Sequence, residues 1–226
     1  LFRSIKEAKM ASIGKESQKG IKREADLLTI PPPHPNIVQC FGSWLDYNTN
    51  TFYTKEEYLE GMDLFDYYQA NFTNVPQDEL LSIIKGSLSG IAHLHQHNVW
   101  HRDLKLGNIF RTNSGTIKLF DLGLGKCTSS EFTKSLVGTP LYYSPEEVDL
   151  GYKRNALGYT KKSDLHPLAV IYSIFATKYH PFDASTRQKI YANICNKPLQ
   201  LQTSDDVPYD QRILDLINKL GAKDPA

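Results

Sequence analysis

The segment VWHRDLKLGNIF, Val99 to Phe110, places His101, Arg102, Asp103, Lys105 and Asn108 within eight residues, between apolar flanks. Five polar or charged groups in so short a stretch suit neither a strand nor an amphipathic helix. They suit a loop, either a solvated surface loop or groups gathered for a reaction. The reaction such a loop could support is specific. An aspartate can accept a hydroxyl proton, a lysine two residues on can neutralise a phosphate, and an asparagine five residues on can ligate a hard cation. Magnesium takes oxygen ligands, so a second acid should lie nearby. Asp121, in the triplet DLG, is delivered beside Asn108 if the intervening chain doubles back. That set of groups is suited to phosphoryl transfer, in which positioning and charge neutralisation do most of the catalysis.

The surrounding composition is that of a soluble globular chain. There are 226 residues, 40% hydrophobic and 23% charged, with a formal net charge of +1 and no basic block. Nothing therefore points to nucleic-acid binding, and no apolar run is long enough to cross a bilayer. The three cysteines, Cys40, Cys127 and Cys195, are scattered and lack metal-ligand spacing. A reduced, intracellular protein is expected, cytoplasmic with a nuclear location as the alternative. Oligomeric state has no signature in the sequence.

The order of elements is strands with one helix, then mostly helices. Lys15 to Leu28 reads as a polar helix with Ile21, Ala25 and Leu28 on one side, stopped by PPPHP at Pro31 to Pro35. Ile37 to Trp44 and Thr51 to Leu59 read as strands around the turn residues DYNTN, and Glu60 to Asp63 as a short connector. Leu80, Ile84, Leu88, Ile91 and Leu94 mark one face of a helix that opens after Pro76 and ends near His97. NIFRT and TIKLF flank NSG as a hairpin. Asp164 to Tyr179 is apolar nearly all round, as a buried helix should be, with Pro167 admissible in its first turn. The expected architecture is α+β with two unequal lobes, residues 1–59 and 60–226, and a cleft between. His93, His95 and His97 are expected to be surface or otherwise satisfied histidines, and residues 148–163 a solvent loop.

With these motifs in order, the chain resembles a eukaryotic-type protein Ser/Thr kinase catalytic domain. HRDLKLGN matches the catalytic-loop pattern, DLG the magnesium motif with Leu122 in place of Phe, and GTPLYYSPE the end of an activation segment. LGN in the loop is similar to polo-like kinases, and GTPxYxSPE to the never-in-mitosis-related group. The resemblance implies transfer of the γ-phosphoryl of ATP, with Mg²⁺, to a protein Ser or Thr. It implies Asp103 as catalytic base, Lys105 as the γ-phosphate contact, and Asn108 and Asp121 as metal ligands. Thr139 would bond the base. Glu57 and Leu59 would offer adenine-facing backbone, Phe110 would lie under the base and Asp63 near the ribose. Arg102 would receive a phosphate on Ser135, placed by an upstream activating kinase. Cys40, Leu28, Leu122 and His101 would stack between the lobes, and Asp164 would anchor the catalytic loop.

Glu24 would orient a strand lysine. Lys9, fifteen residues before it, is the expected partner, with Lys6 the competitor. Three departures stand out. The glycine-rich loop and the arginine partner of Glu146 are absent from the sequence, as in a kinase domain trimmed at both ends. The strand around the lysine is weakly apolar. Glu56 occupies the usually apolar position before the hinge, where it could compete with Glu24 for the lysine. These departures frame the alternative, a pseudokinase acting as a binding or scaffolding module. A small-molecule kinase of related fold is a second rival, opposed by GTPLYYSPE.

Overall fold

The fold is seen in a computed structural model that describes residues 3–71, 75–152 and 158–222. It is α+β, with a small antiparallel sheet leading into a mainly helical lobe. Strand β1 (Arg3–Lys9) forms one edge of a three-stranded sheet, β2 (Cys40–Asp46) the other, and β3 (Thr51–Glu57) runs antiparallel between them. Side chains alternate faces along a strand, so Thr54 and Glu56 of β3 are buried while Tyr53, Lys55 and Glu57 are only half-buried. Helix α1 (Lys15–Leu28) has the bounds its pattern predicts and buries Ala25, Leu27 and Leu28.

The expected connector at 60–63 is instead a strand, β4 (Gly61–Asp63), paired with β6 (Ile109–Thr112), which forms the expected hairpin with β7 (Ile117–Leu119). Glycine makes that pairing possible. Gly61 has φ +144°, and a Cβ there would sit 2.2 Å from the Arg111 carbonyl. A three-residue strand leaves almost no periodic signal, which is why it reads as a linker.

Helix α2 (Leu64–Ala70) is capped by Asp63, whose carboxylate accepts from the Phe65 and Asp66 amides, both at 2.9 Å. Helices α3 (Gln77–Gln96) and α5 (Leu165–Thr177) form the centre of the larger lobe. All of His166 to Ala176 is buried. Burying each Leu, Ile or Phe there contributes about 1.5–3 kcal/mol of transfer free energy. Ser87 and Tyr172 satisfy each other's hydroxyls at 2.5 Å between the two helices. Gly90 of α3 lets β7 approach, since a Cβ would come within 2.8 Å of both Leu119 and the Asn36 carbonyl. Asn36 and Val38 then bond Leu119 at 2.9 Å, joining the chain that follows α1 to the hairpin of the larger lobe.

The strand pair β5 (Val99–Trp100) and β8 (Lys126–Cys127) closes the base of the segment that follows DLG. Beyond it, helix α4 (Pro145–Gly151) takes in residues 148–151, the start of the expected solvent loop. Ser144 caps it reciprocally with Glu147, and both are buried. Residues 161–164 make a 3₁₀ turn, and residues 153–157 of that expected loop lie outside the described residues. Helices α6 (Arg187–Asn196) and α7 (Gln211–Leu220) complete the lobe.

Candidate active site

The catalytic-loop cluster folds onto one carboxylate. Asp103 is 8% exposed. Thr139 Oγ1 donates to its Oδ1 at 2.7 Å, while Lys105 Nζ at 2.8 Å and Asn108 Nδ2 at 3.2 Å donate to its Oδ2. Asn108 Nδ2 also reaches the Asp103 carbonyl at 2.8 Å. With both of its hydrogen bonds drawn from the amide nitrogen, the Asn108 amide oxygen is left as an acceptor. The loop brings Asp103, Lys105 and Asn108 together as the spacing predicts, and Thr139 reaches Asp103 from the activation segment as the resemblance implies.

Backbone geometry at the site is unusual and held from below. Arg102 and Asp121 both sit at positive φ, 64° and 62°, a left-handed conformation that is costly outside glycine. Asp164 fixes the first of these. Its carboxylate accepts from the Arg102 amide at 2.8 Å, the His101 amide at 3.0 Å and His95 Nε2 at 2.7 Å. Burial works to raise the Asp164 pKa, but the bonds from His95 and the backbone prevail and hold it below the ordinary value. His95, expected to be a surface or otherwise satisfied histidine, is satisfied by Asp164 and so orients the group that orients the catalytic loop. Its signal lay in its place in the last turn of α3, six residues before His101 on the chain leading into the loop, a relation that only tertiary structure turns into a contact. His93 instead bonds the Pro32 carbonyl, and His97 the His93 carbonyl, both at 2.9 Å.

Asp121 accepts from the Gly123 amide at 3.2 Å, and Arg23 of α1 donates to the Gly123 carbonyl at 3.0 Å. The helix bearing Glu24 is thus tied to the segment bearing Asp121. Leu28 and Leu122 are buried in one cluster with Cys40 packed against it, and His101 is fully buried with Nε2 3.2 Å from the Phe120 carbonyl. Burial pulls the His101 pKa down.

The lysine that meets Glu24 is Lys6, which corrects the expectation for Lys9. Lys6 Nζ lies 3.2 Å from Glu24 Oε1 and 2.9 Å from Glu56 Oε2. Strand alternation explains the difference. Lys6 and Lys9 are three residues apart in β1 and so point to opposite faces. Only Lys6 shares the face of Thr54 and Glu56, and Lys9 ends the strand opposite Thr51. Partial burial works against the Lys6 charge, but the two carboxylates outweigh it and its pKa is raised. Burial pushes the Glu24 pKa up, with Glu56 and Asp121 adding to that and Lys6 opposing it.

The remaining predicted residues are placed as follows. Glu57 spends its side chain on the Gln39 amide at 2.9 Å and on Lys118 at 2.8 Å, and its own amide on the Gln39 carbonyl. Its carbonyl accepts a long 3.4 Å bond from Ser4. Leu59 makes no backbone hydrogen bond among the described residues. Phe110 packs edge-on to Phe120 and pairs with Asp63 across β4 and β6. Asp63 commits one carboxylate oxygen to its cap. Arg102 and Ser135 are not brought together. The Arg102 guanidinium donates to the Leu124 carbonyl at 2.8 Å and the Gly125 carbonyl at 3.3 Å, while Ser135 is exposed.

Comparison with known proteins agrees with this geometry. The family model for the protein kinase domain matches residues 2–226. The chain is 36% identical over 201 residues to serine/threonine-protein kinase PrkC of Bacillus subtilis, covering 85% of this chain and 29% of that protein. It is 33% identical over 188 residues to serine/threonine-protein kinase Nek3 of Mus musculus, covering 81% and 35%. It is 30% identical over 226 residues to serine/threonine-protein kinase Nek9 of Xenopus laevis, covering 97% and 23%. The chain therefore spans about a quarter to a third of the length of these relatives. On the match across almost its whole length, the chain belongs to the protein kinase domain family.

Proposed function

We propose that this chain is a Ser/Thr protein kinase catalytic domain that transfers the γ-phosphoryl of Mg-ATP to a protein hydroxyl. The observation that carries the reading is the convergence on Asp103 of Thr139, Lys105 and Asn108, with the Lys6–Glu24 pair formed on the opposite lobe. The residues fit the cofactor. Asp121 and the Asn108 amide oxygen are the oxygen donors a hard cation needs, and magnesium is commonly held by one or two carboxylates with substrate phosphates completing its shell. The Leu59 amide and carbonyl stand ready for an adenine edge, with Glu57 supplying a further carbonyl. When bound, Mg-ATP supplies the phosphoryl group and the metal charge that neutralises it.

In this reading Asp103 accepts or orients the proton of the substrate hydroxyl. Thr139 holds the aspartate from the side of the activation segment. Lys105, now bonded to Asp103, is within reach of charge developing at the same place, and Lys6 positions phosphates. A cavity of about 300 Å³ lined by Leu136, Tyr143, Val148, Tyr152, Arg187 and Tyr191 flanks the activation segment, in keeping with a peptide rather than a small molecule as acceptor. Residues 1–59 and 60–226 are the two lobes of this proposal. An activating phosphate on Ser135 would require Arg102 to release the Leu124 and Gly125 carbonyls. A soluble protein acting inside the cell fits the free cysteines, and no described helix is long and apolar enough to cross a membrane.

The test is thermal unfolding with ATP, with and without Mg²⁺, in the wild type and in Asp121→Asn. A ligand at a hundred times its Kd stabilises the fold by about 2.7 kcal/mol. The expected result is a magnesium-dependent upward shift that the variant loses. No shift in either protein would favour the binding-module alternative.

A further inference from the structure

Glu56 is the one member of the Lys6 cluster that the phosphotransfer scheme leaves without a task. It is 3% exposed on the inner face of β3. Its Oε2 is paired with Lys6 at 2.9 Å, closer than the 3.2 Å to Glu24. Its other oxygen, Oε1, is buried with no hydrogen-bond partner. A buried carboxylate usually gathers several donors, because each unpartnered oxygen keeps a desolvation cost. This one leans on a single lysine. Lys6, half exposed on its side chain, is then shared between two carboxylates, and Asp121 is close enough to act on the pKa of Glu24. The one positive charge in the cluster is already overcompensated.

Nucleotide phosphates are anions competing for that charge. If Lys6 swings toward them, Glu56 loses the only partner its carboxylate has among the described residues and is left as an uncompensated buried group, which is expensive. The base and ribose make no such demand. Resting on the nucleotide site described above, we propose that Glu56 is a resting-state counter-anion for Lys6 that incoming phosphate must displace, making it a positioning residue that weakens affinity for the phosphate chain and not for the nucleoside. An apolar residue at this position would leave Lys6 to Glu24 alone and its charge available.

The experiment is calorimetric titration of Mg-ATP and, separately, of adenosine into the wild type, Glu56→Gln and Glu56→Met, each checked for a cooperative melt. The same titrations in Lys6→Met with and without Glu56→Gln complete a double-mutant cycle. The expected result is that both Glu56 variants bind Mg-ATP more tightly by roughly threefold to tenfold, between the effect of an exposed ion pair and that of a buried one. Adenosine affinity stays the same, and the gain in Mg-ATP affinity disappears in the Lys6→Met background. Three outcomes overturn the proposal while leaving the nucleotide site standing: Mg-ATP affinity unchanged, Mg-ATP affinity weakened, or ATP and adenosine affinities moving together, which would be an effect of pocket shape. Failure of every protein to bind either ligand would overturn the nucleotide reading, and the role of Glu56 with it.

Discussion

Asp103 divides its two carboxylate oxygens between different parts of the chain, one to Thr139 and the other to Lys105 and Asn108. The Lys105 and Asn108 contacts come from within the catalytic loop and the Thr139 contact from the activation segment, so the aspartate reports whether the two are assembled. The same logic applies to Lys6, whose ion pair with Glu24 needs β1 and α1 in register. The prediction at this scale is that Lys6→Met weakens Mg-ATP binding by about tenfold or more, the loss of a hydrogen bond to a charged group. Lys9→Met, on the opposite face of β1, should change it less than twofold. Equilibrium titration of the two variants decides, and the reverse order would return Lys9 to the site. Sequence spacing to Glu24 alone favours Lys9, because counting along the chain ignores which way a strand side chain points. Alternation from the buried Thr54 and Glu56 selects Lys6, but that needs the register of β1 on β3, which no local pattern specifies.

Among the elements, α5 and α4 carry groups whose protonation is set by burial. Glu147, in the capping box of α4, has its pKa pushed up to about 8 by burial, against the opposing bonds from Ser144. His166 of α5, stacked on Phe182 with ring centres 5.6 Å apart, has its pKa pushed down to about 4 by burial. The signs follow from linkage. The raised Glu147 pKa contributes stability that is present below about 4.5 and lost as pH rises through about 8. The lowered His166 pKa contributes stability that is present above about 6.5 and lost as pH falls through about 4. Stability should therefore be highest between about pH 4.5 and 6.5, where the two slopes oppose each other. Glu147→Gln, which can still close the capping box, should flatten the alkaline limb, and His166→Phe the acid limb. The limiting slope for each group is about 1.4 kcal/mol per pH unit. Urea midpoints measured across pH test this, and limbs unchanged in both variants would remove these residues as the cause. The long helices were legible because their apolar faces repeat over many turns, as in α1 and α3. Helix α4 was not, since seven residues that open on a proline and are rich in acid look like solvent-exposed chain until the burial of Glu147 and Val148 is known.

Across the molecule, the two lobes meet through a few specific contacts. Arg23 holds the Gly123 carbonyl, Leu28 and Leu122 share a buried cluster, and Val38 bonds Leu119. These put Lys6 and Glu24 above Asp121, and Asp164 with His95 holds the catalytic loop below. The α+β architecture and the central site residues could be read early because HRDLKLGN, DLG and GTPLYYSPE are local patterns in fixed order. What escaped reading was long-range: the identity of the strand lysine, the part played by His95, and Arg102 turned toward carbonyls instead of Ser135. The central claim is that Asp103 and its partners form a working phosphotransfer site. Its most direct test is transfer of labelled γ-phosphoryl from Mg-ATP to a Ser- and Thr-containing peptide pool by the wild type and by Asp103→Asn. The predicted result is transfer by the wild type that falls by roughly a hundredfold or more in the variant, with Mg-ATP affinity nearly unchanged. Transfer that persists at the wild-type rate in Asp103→Asn, or a wild type that binds Mg-ATP and transfers nothing, would contradict the account.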